Sequence, residues 1–323
     1  AIGYRAASAT TNSAGNVAIG HDAMRLCSVS DGHNVAIGHG VMDGGTGGYY
    51  NICIGKDTGA AFANANVGTC VLIGHEAGDA INDSGADSTI AIGYQALSAL
   101  QSGAGNVAIG YEALNDLTTG ARNLAIGQQA ADKLTVGDDN IAIGKGAMGA
   151  LSTTDVSDRN IAIGSYAMDD VSTLAAQDNI FIGHDAGGGS WTTTLSKRNV
   201  GIGSYVMDGA LQGADYNTGV GYGALGALTQ GISNTCFGYN SGGAINTGNY
   251  NTCLGTNAGS TITSGSSNTL IGSGAAVADA DTTDNIVLGV DTQAHADGTY
   301  MSIGRGTGTD RWWIDYGTST TWA

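Results

Sequence analysis

The chain has 323 residues, with 28 acidic side chains against 11 basic ones and a formal charge of -17, so phosphate backbones and anionic membranes would repel it and no nucleic-acid partner is expected. Its 55 Gly, absence of Pro, 12% charged and 42% hydrophobic residues make it too apolar for a disordered chain, and no Gly-X-Y period points to collagen. No apolar run approaches the roughly 20 residues of a membrane-spanning helix, so no membrane insertion is expected in this segment.

The first residues, AIGYRAAS, read as the middle of a repeat and not as a signal peptide, which suggests a piece of something longer. The phrase they belong to returns as NVAIGHDAM from residue 16, NVAIGHGVM from 34, NVAIGYEAL from 106 and NIAIGSYAM from 160. Its glycine falls at Gly3, Gly20, Gly38, Gly55, Gly74, Gly93, Gly110, Gly127, Gly144, Gly164, Gly183, Gly203, Gly221, Gly238, Gly255, Gly272, Gly289 and Gly304, which is 18 copies mostly 17 residues apart. A phrase copied this often describes a building unit more than a reaction.

Each copy predicts a short strand ending at the glycine, which serves as a corner. The residue before the glycine is large and apolar (Ile19, Ile37, Ile54, Ile73, Ile109 and Ile143, later Val220, Phe237 and Leu254) and reads as core. Three before the glycine stands Val, Ile or Leu, changing to Thr218, Thr235, Thr252 and Thr269, a shallower position. Between them sits a small residue such as Ala18, Ala36 or Ala108, which must point to the opposite face and suggests close approach of another backbone. Four before the glycine an Asn recurs from Asn16 to Asn285, suited to local main-chain bonds or to a stacked ladder. After the glycine come two variable polar residues, usually Ala, then an apolar place holding Met24, Met42, Met148, Met168 and Met207, which predicts a second short strand.

The expected architecture is all-β, a parallel β-solenoid (β-roll or β-helix) of about 18 coils spanning 1–304, with an aromatic cap over 305–323. One copy cannot bury its own apolar face, and a stack this thin calls for oligomerisation. The face carrying Ala and Asn is the one on which parallel chains are expected to meet.

Few residues invite chemistry. Cys27, Cys53, Cys70, Cys236 and Cys253 show no metal-ligand spacing and read as small buried thiols, although Cys236 and Cys253 would stack at a separation compatible with a disulfide. The column after the glycine holds His21, His39, His75 and His184 among tyrosines and reads as a solvent-facing turn; no metal site and no cofactor are expected. Acidic turns lack calcium-loop spacing. Glu76 and Glu112 are the only glutamates, two coils apart, which is poor provision for the paired acid and base of glycan cleavage, so no enzymatic activity is expected. Threonine ladders can bind ice, but four threonines in one column are a short one. Exposed aromatics suit sugar stacking: Tyr49, Tyr50, Trp191 in the Gly-rich insertion, and Trp312, Trp313 and Trp322 at the C-terminal end are candidate receptor contacts, with sealing of gaps or of the last coil as the alternative role.

The NxAIG phrase followed by xxA resembles the head repeats of trimeric autotransporter adhesins, and the array is similar to those of trimeric phage tail fibres. The resemblance covers about residues 1 to 304 and implies a β-roll wound around a three-fold axis, that is, a homotrimer. The C-terminal segment TYMSIGRGTGTDRWWIDYGTSTTWA is similar to aromatic segments that precede a self-cleaving chaperone in phage fibres, which would place Ala323 near a mature end. The expected function is therefore a structural and adhesive fibre at the virion surface, a phage tail fibre binding a host cell-surface glycan or protein receptor. The alternatives are an extracellular bacterial adhesin head and, behind it, a polysaccharide-cleaving tailspike.

Overall fold

The computed structural model describes residues 1–9, 15–26, 32–44, 48–62, 67–150, 157–171, 176–191, 194–294, 300–306 and 311–315, with backbone alone at 300 and 311–315. The chain divides into two units, Ala1–Asn160 and Ile161–Ala323. Each is a parallel β-solenoid with a spacing close to 17 residues, and the turns number some 15–17.

The first unit contains β1 (Val17–Ile19), β2 (Val35–Ile37), β3 (Ile52–Ile54), β4 (Val71–Ile73), β5 (Ile90–Ile92), β6 (Val107–Ile109), β7 (Leu124–Ile126) and β8 (Ile141–Ile143). The second contains β9 (Ile161–Ile163), β10 (Ile180–Ile182), β11 (Val200–Ile202), β12 (Thr218–Val220), β13 (Thr235–Phe237), β14 (Thr252–Leu254), β15 (Thr269–Ile271), β16 (Ile286–Leu288), β17 (Tyr300–Gly304) and β18 (Arg311–Asp315). Successive strands within a unit pair in parallel and in register. Between β5 and β6, Ala91 faces Ala108 and Ile92 faces Ile109. The exception is β18, which runs antiparallel to β17 with Ile303 opposite Trp312. A single turn of 3-10 helix, Ser84–Ala86, starts where the Asp83 carboxylate accepts from the Gly85 N–H.

The repeat glycine ends each strand for two reasons that act together. At Gly93 φ is +141°, a region that only glycine enters readily, and a Cβ there would run into the carbonyl of Gly110 on the next coil. Corner geometry and close coil contact are thus the same requirement.

The expected second strand is absent from the described turns. After the glycine, φ is positive at every second residue: 50° and 52° at Gln95 and Leu97, 53° and 49° at Glu112 and Leu114. These residues have no intrinsic liking for left-handed backbone. They are held there by bonds between coils that alternate in direction. The Gln95 N–H donates back to His75 O at 2.9 Å, and the Leu97 N–H donates forward to Ala113 O at 3.0 Å. The turn therefore bonds to the coils on both sides through every second N–H, without being extended.

The asparagine column forms a buried ladder. The Asn123 N–H donates to Asn106 Oδ1 at 2.9 Å, and the Asn123 side-chain amide reaches Asn106 Oδ1 at 3.1 Å and Gly137 O at 2.8 Å. Asn140 repeats the pattern on Asn123, and in the second unit Asn217 repeats it on Asn199. Each amide lies inside the coil with its hydrogen bonds made, the condition under which a buried polar group stabilises.

The faces of the strand are the reverse of the sequence expectation. The small middle residue is the buried one: Ala36, Cys53, Leu72, Ala91, Ala108 and Phe181 are all 0% exposed. The flanking aliphatics, read as core one residue before the glycine, lie outside; Ile126 is 36% and Leu254 49% exposed. The face of Ala and Asn, expected to meet other chains, is the interior of the coil.

Interior volume is shared between two walls. Where the strand contributes Ala91 or Ala108, the turn four residues past the glycine contributes Leu97 or Leu114, both fully buried. Where the strand contributes Leu72, Phe181 or Cys236, that place holds Gly78, Gly187 or Gly242. A Cβ added to these would stand 2.9 Å from Ile81 Cδ1, 2.8 Å from the Phe181 ring and 2.5 Å from Cys236 Sγ. A close-packed interior allows one large side chain per coil at this level, from one wall or the other.

Candidate assembly and contact surfaces

Two parallel aliphatic columns run along the outside of the strands. In the first unit Val71, Ile90, Val107, Leu124 and Ile141 form one, and Ile73, Ile92, Ile109, Ile126 and Ile143 the other, each only partly buried. In-register pairing sets like beside like from coil to coil. The result is a regular apolar strip, more continuous than the scattered surface aliphatics of an ordinary monomer. In the second unit the column three before the glycine changes to Thr218, Thr235, Thr252 and Thr269, paired in register and facing outward, consistent with the tolerance for hydroxyls read from the sequence.

The column after the glycine carries stacked rings. Tyr4 lies on His21 at 5.1 Å and His21 on His39 at 4.9 Å; His75, Tyr94 and Tyr111 stack at 5.5 and 5.1 Å; Tyr222 and Tyr239 stack at 5.4 Å. Because each ring covers its neighbour, the ladders show their edges and polar rims to solvent. A sugar seeking a ring face would find one only at the end of a stack.

The predicted contact residues separate. Tyr50 is exposed and stacks on His33 at 5.3 Å, while Tyr49 is half-buried across Gly68 and meets Tyr50 edge-on at 5.9 Å. Trp191 is 2% exposed and packs edge-on against Phe181 at 5.8 Å, so in this structure its ring fills the interior, the gap-sealing role that was its alternative. The Gly-rich insertion folds this ring inward, because apolar area gains more against Phe181 than in water. Trp312 and Trp313 belong to β18, whose side chains, like Trp322 entirely, lie outside the described residues.

Cysteine chemistry is muted. Cys53, Cys70, Cys236 and Cys253 are buried. Burial pushes the Cys70 thiol up to about 11. Cys236 faces Cys253 across the β13–β14 ladder, and its hydrogen bond to that thiol, with burial, raises it well above the ordinary range. Neither is poised as a thiolate nucleophile. Cys27 lies outside the described residues.

The two glutamates are held separately. Glu76 accepts from Gln95 Nε2 at 2.6 Å and Glu112 from Gln129 Nε2 at 3.0 Å, each on the coil above. Elsewhere the turns are laced by ion pairs between coils, such as Arg25 with Asp43 at 2.7 Å and Arg122 with Asp139 at 2.6 Å, whose hydrogen bond holds the Asp139 carboxyl below its ordinary value. Among the described residues one trio, Asp57, His75 and Glu76, has donor atoms close enough to share a metal ion. No protein-family model matches the chain, and no curated protein matches it.

Proposed function

We propose that this chain is a shaft segment of a homotrimeric fibre of the phage tail-fibre kind, whose work is to carry attachment to a host cell-surface glycan or protein away from the virion. The observation that supports the reading is the outward strip of Val, Leu and Ile, exemplified by Val107, Leu124 and Ile141 beside Ile109, Ile126 and Ile143. A second copy laid parallel and in register presents the same strip at the same spacing, so aliphatic meets aliphatic at every coil, and three copies close around an axis. The charge of -17 suits a surface that stays solvated and does not bundle further. Exposed Tyr50, Tyr216 and Tyr250 and the edges of the Tyr94–Tyr111 and Tyr222–Tyr239 stacks are among the described rings available for receptor contact.

Sedimentation equilibrium tests the reading directly. The intact chain should give a particle about three times 32.1 kDa, and Ile109→Asp with Ile126→Asp should reduce the mass to one chain while the β-type circular dichroism survives. A particle of 32.1 kDa at micromolar concentration for the unsubstituted chain would overturn it.

A further inference from the structure

We propose that Asp57, His75 and Glu76 form a binding site for a first-row divalent metal ion, with Zn²⁺ as the best geometric match, joining two adjacent coils on the outer turn. Their three donor atoms all lie within 4.8 Å of one another. Asp57 and Glu76 occupy the same left-handed column of successive coils, with φ of 53° and 56°. Their backbones are pinned by Asp57 N–H to His39 O at 2.9 Å and Glu76 N–H to Lys56 O at 3.0 Å.

The imidazole supplies the pointed observation. His75 Nδ1 is shut off from solvent and has no hydrogen-bond partner, yet it stands 3.6 Å from Glu76 Oε1. That gap is too long for a hydrogen bond. It suits an ion: two metal–ligand bonds of about 2.0–2.1 Å spanning it would meet at roughly 120°, near the tetrahedral angle. The ring is oriented by its stack on Tyr94, 5.5 Å away and 13° from parallel. Gln95 Nε2, donating to Glu76 Oε2 at 2.6 Å, fixes the carboxylate from behind, as outer partners of metal ligands do.

Charge points the same way. Asp57, Glu76 and neighbouring Asp79 are balanced locally by Lys56, whose ammonium sits 2.5 Å from Asp57 Oδ2, while His39 Nδ1 is 3.8 Å from Asp57 Oδ1. The Asp79 carboxyl is pushed up, first by its own burial and then by the charges of Glu76 and Asp57. A divalent ion would relieve the surplus that one ammonium leaves. One imidazole with carboxylates favours Zn²⁺, Co²⁺ or Ni²⁺ over Ca²⁺ and Mg²⁺, which prefer oxygen alone. Asp57 must give up part of its pairing with Lys56, and a water completes the coordination.

This site stands independently of the fibre reading and is tested on the whole chain, stripped with chelator and titrated with Zn²⁺ by calorimetry. One saturable ion per chain is expected. His75→Ala and Asp57→Asn should each weaken binding by about tenfold or more, with circular dichroism unchanged in the metal-free state. Lys56→Gln should strengthen it, because the competing ammonium is gone. Co²⁺ on the unsubstituted chain should give visible ligand-field bands, a readout that needs no variant to fold. Absence of saturable binding or of those bands, affinity undiminished in both ligand variants, no gain from Lys56→Gln, or loss on His21→Ala instead would each overturn the site.

Discussion

The turn that carries Leu97 and the turn that carries Phe181 fill the same kind of interior from opposite walls. In the first, the strand gives Ala91 and the turn gives Leu97; in the second, the strand gives Phe181 and the turn gives Gly187. In these two turns the large side chain comes from one wall and the small residue from the other. The difference extends outward. Beside Leu97, Ser98 accepts from the Asn115 amide at 2.9 Å, a neutral pair. In the same column near Phe181, Gly188 lies between Asp169 and Asp208, and a Cβ there would stand 3.3 Å from a carboxylate oxygen of each.

The largest effect is expected from breaking the Phe181 wall. Phe181→Ala should cost about 3–5 kcal/mol in chemical denaturation, the price of a large cavity. Gly187→Met alone should also destabilise, since its side chain would meet the ring from 2.8 Å. Made together, the two changes convert this turn into the Leu97 type, and the double variant should recover at least about 2 kcal/mol relative to the sum of the single losses. Met is at home in left-handed backbone at this place, with φ of 51° at Met168 and 47° at Met207. Strict additivity would show that the two walls do not share volume.

A smaller loss should come from the ladder, where the two kinds of turn agree. Asn123→Ala leaves the Asn140 N–H without its acceptor, and Asn199→Ala does the same to Asn217. Each should cost about 1–3 kcal/mol, and by similar amounts. Hydrogen exchange should locate the loss at the amides of Asn140 and Asn217; protection unchanged there would contradict the ladder's role.

The smallest effect is electrostatic and belongs to the Phe181 neighbourhood. The Asp169 carboxyl is pushed up to about 6, first by burial, then by the charge of Asp185 and those of Asp170 and Asp208. A raised carboxylate holds its proton more tightly in the folded chain than in the unfolded one. Its stabilising contribution is therefore present at low pH and is lost as pH climbs from the ordinary carboxylate value near 4 through about 6. Asp169→Asn should raise the thermal midpoint slightly at pH 8 and leave it unchanged at pH 4. A midpoint gain at pH 4 as large as that at pH 8 would refute the assignment.

Some of this was legible because it repeats. The spacing of the glycines gave the period, and with it the parallel register that sets Ala91 beside Ala108. The run from Asn16 to Asn285 suggested a ladder, and a ladder is present. The left-handed turn was not legible: Gln95, Leu97 and Glu112 carry no preference for positive φ, and only the alternating bonds to the coils on either side impose it. The volume exchange left a trace, since Phe181, Leu72 and Cys236 each precede a glycine by six residues where Ala91 and Ala108 precede a leucine. Lining up Asp57 with Glu76 in one column would likewise have drawn attention to His75. For Trp191 the sequence left open a receptor contact or the sealing of a gap, and only the packing of its ring on Phe181 separates the two.

The amino-acid sequence by itself determined that this protein is a stack of near-identical β turns, because only one glycine-ended, asparagine-started unit can be copied so often and still pair with itself. Which side of the strand faces inward was decided by tertiary structure. In Val-Ala-Ile both faces are apolar, so alternation gives a period without a sign. The same side is inward whether the interior is filled from the turn by Leu97 or from the strand by Phe181, and it is the side of the asparagine ladder: Asn106, two residues before Ala108, is buried with it and holds the amide of Asn123.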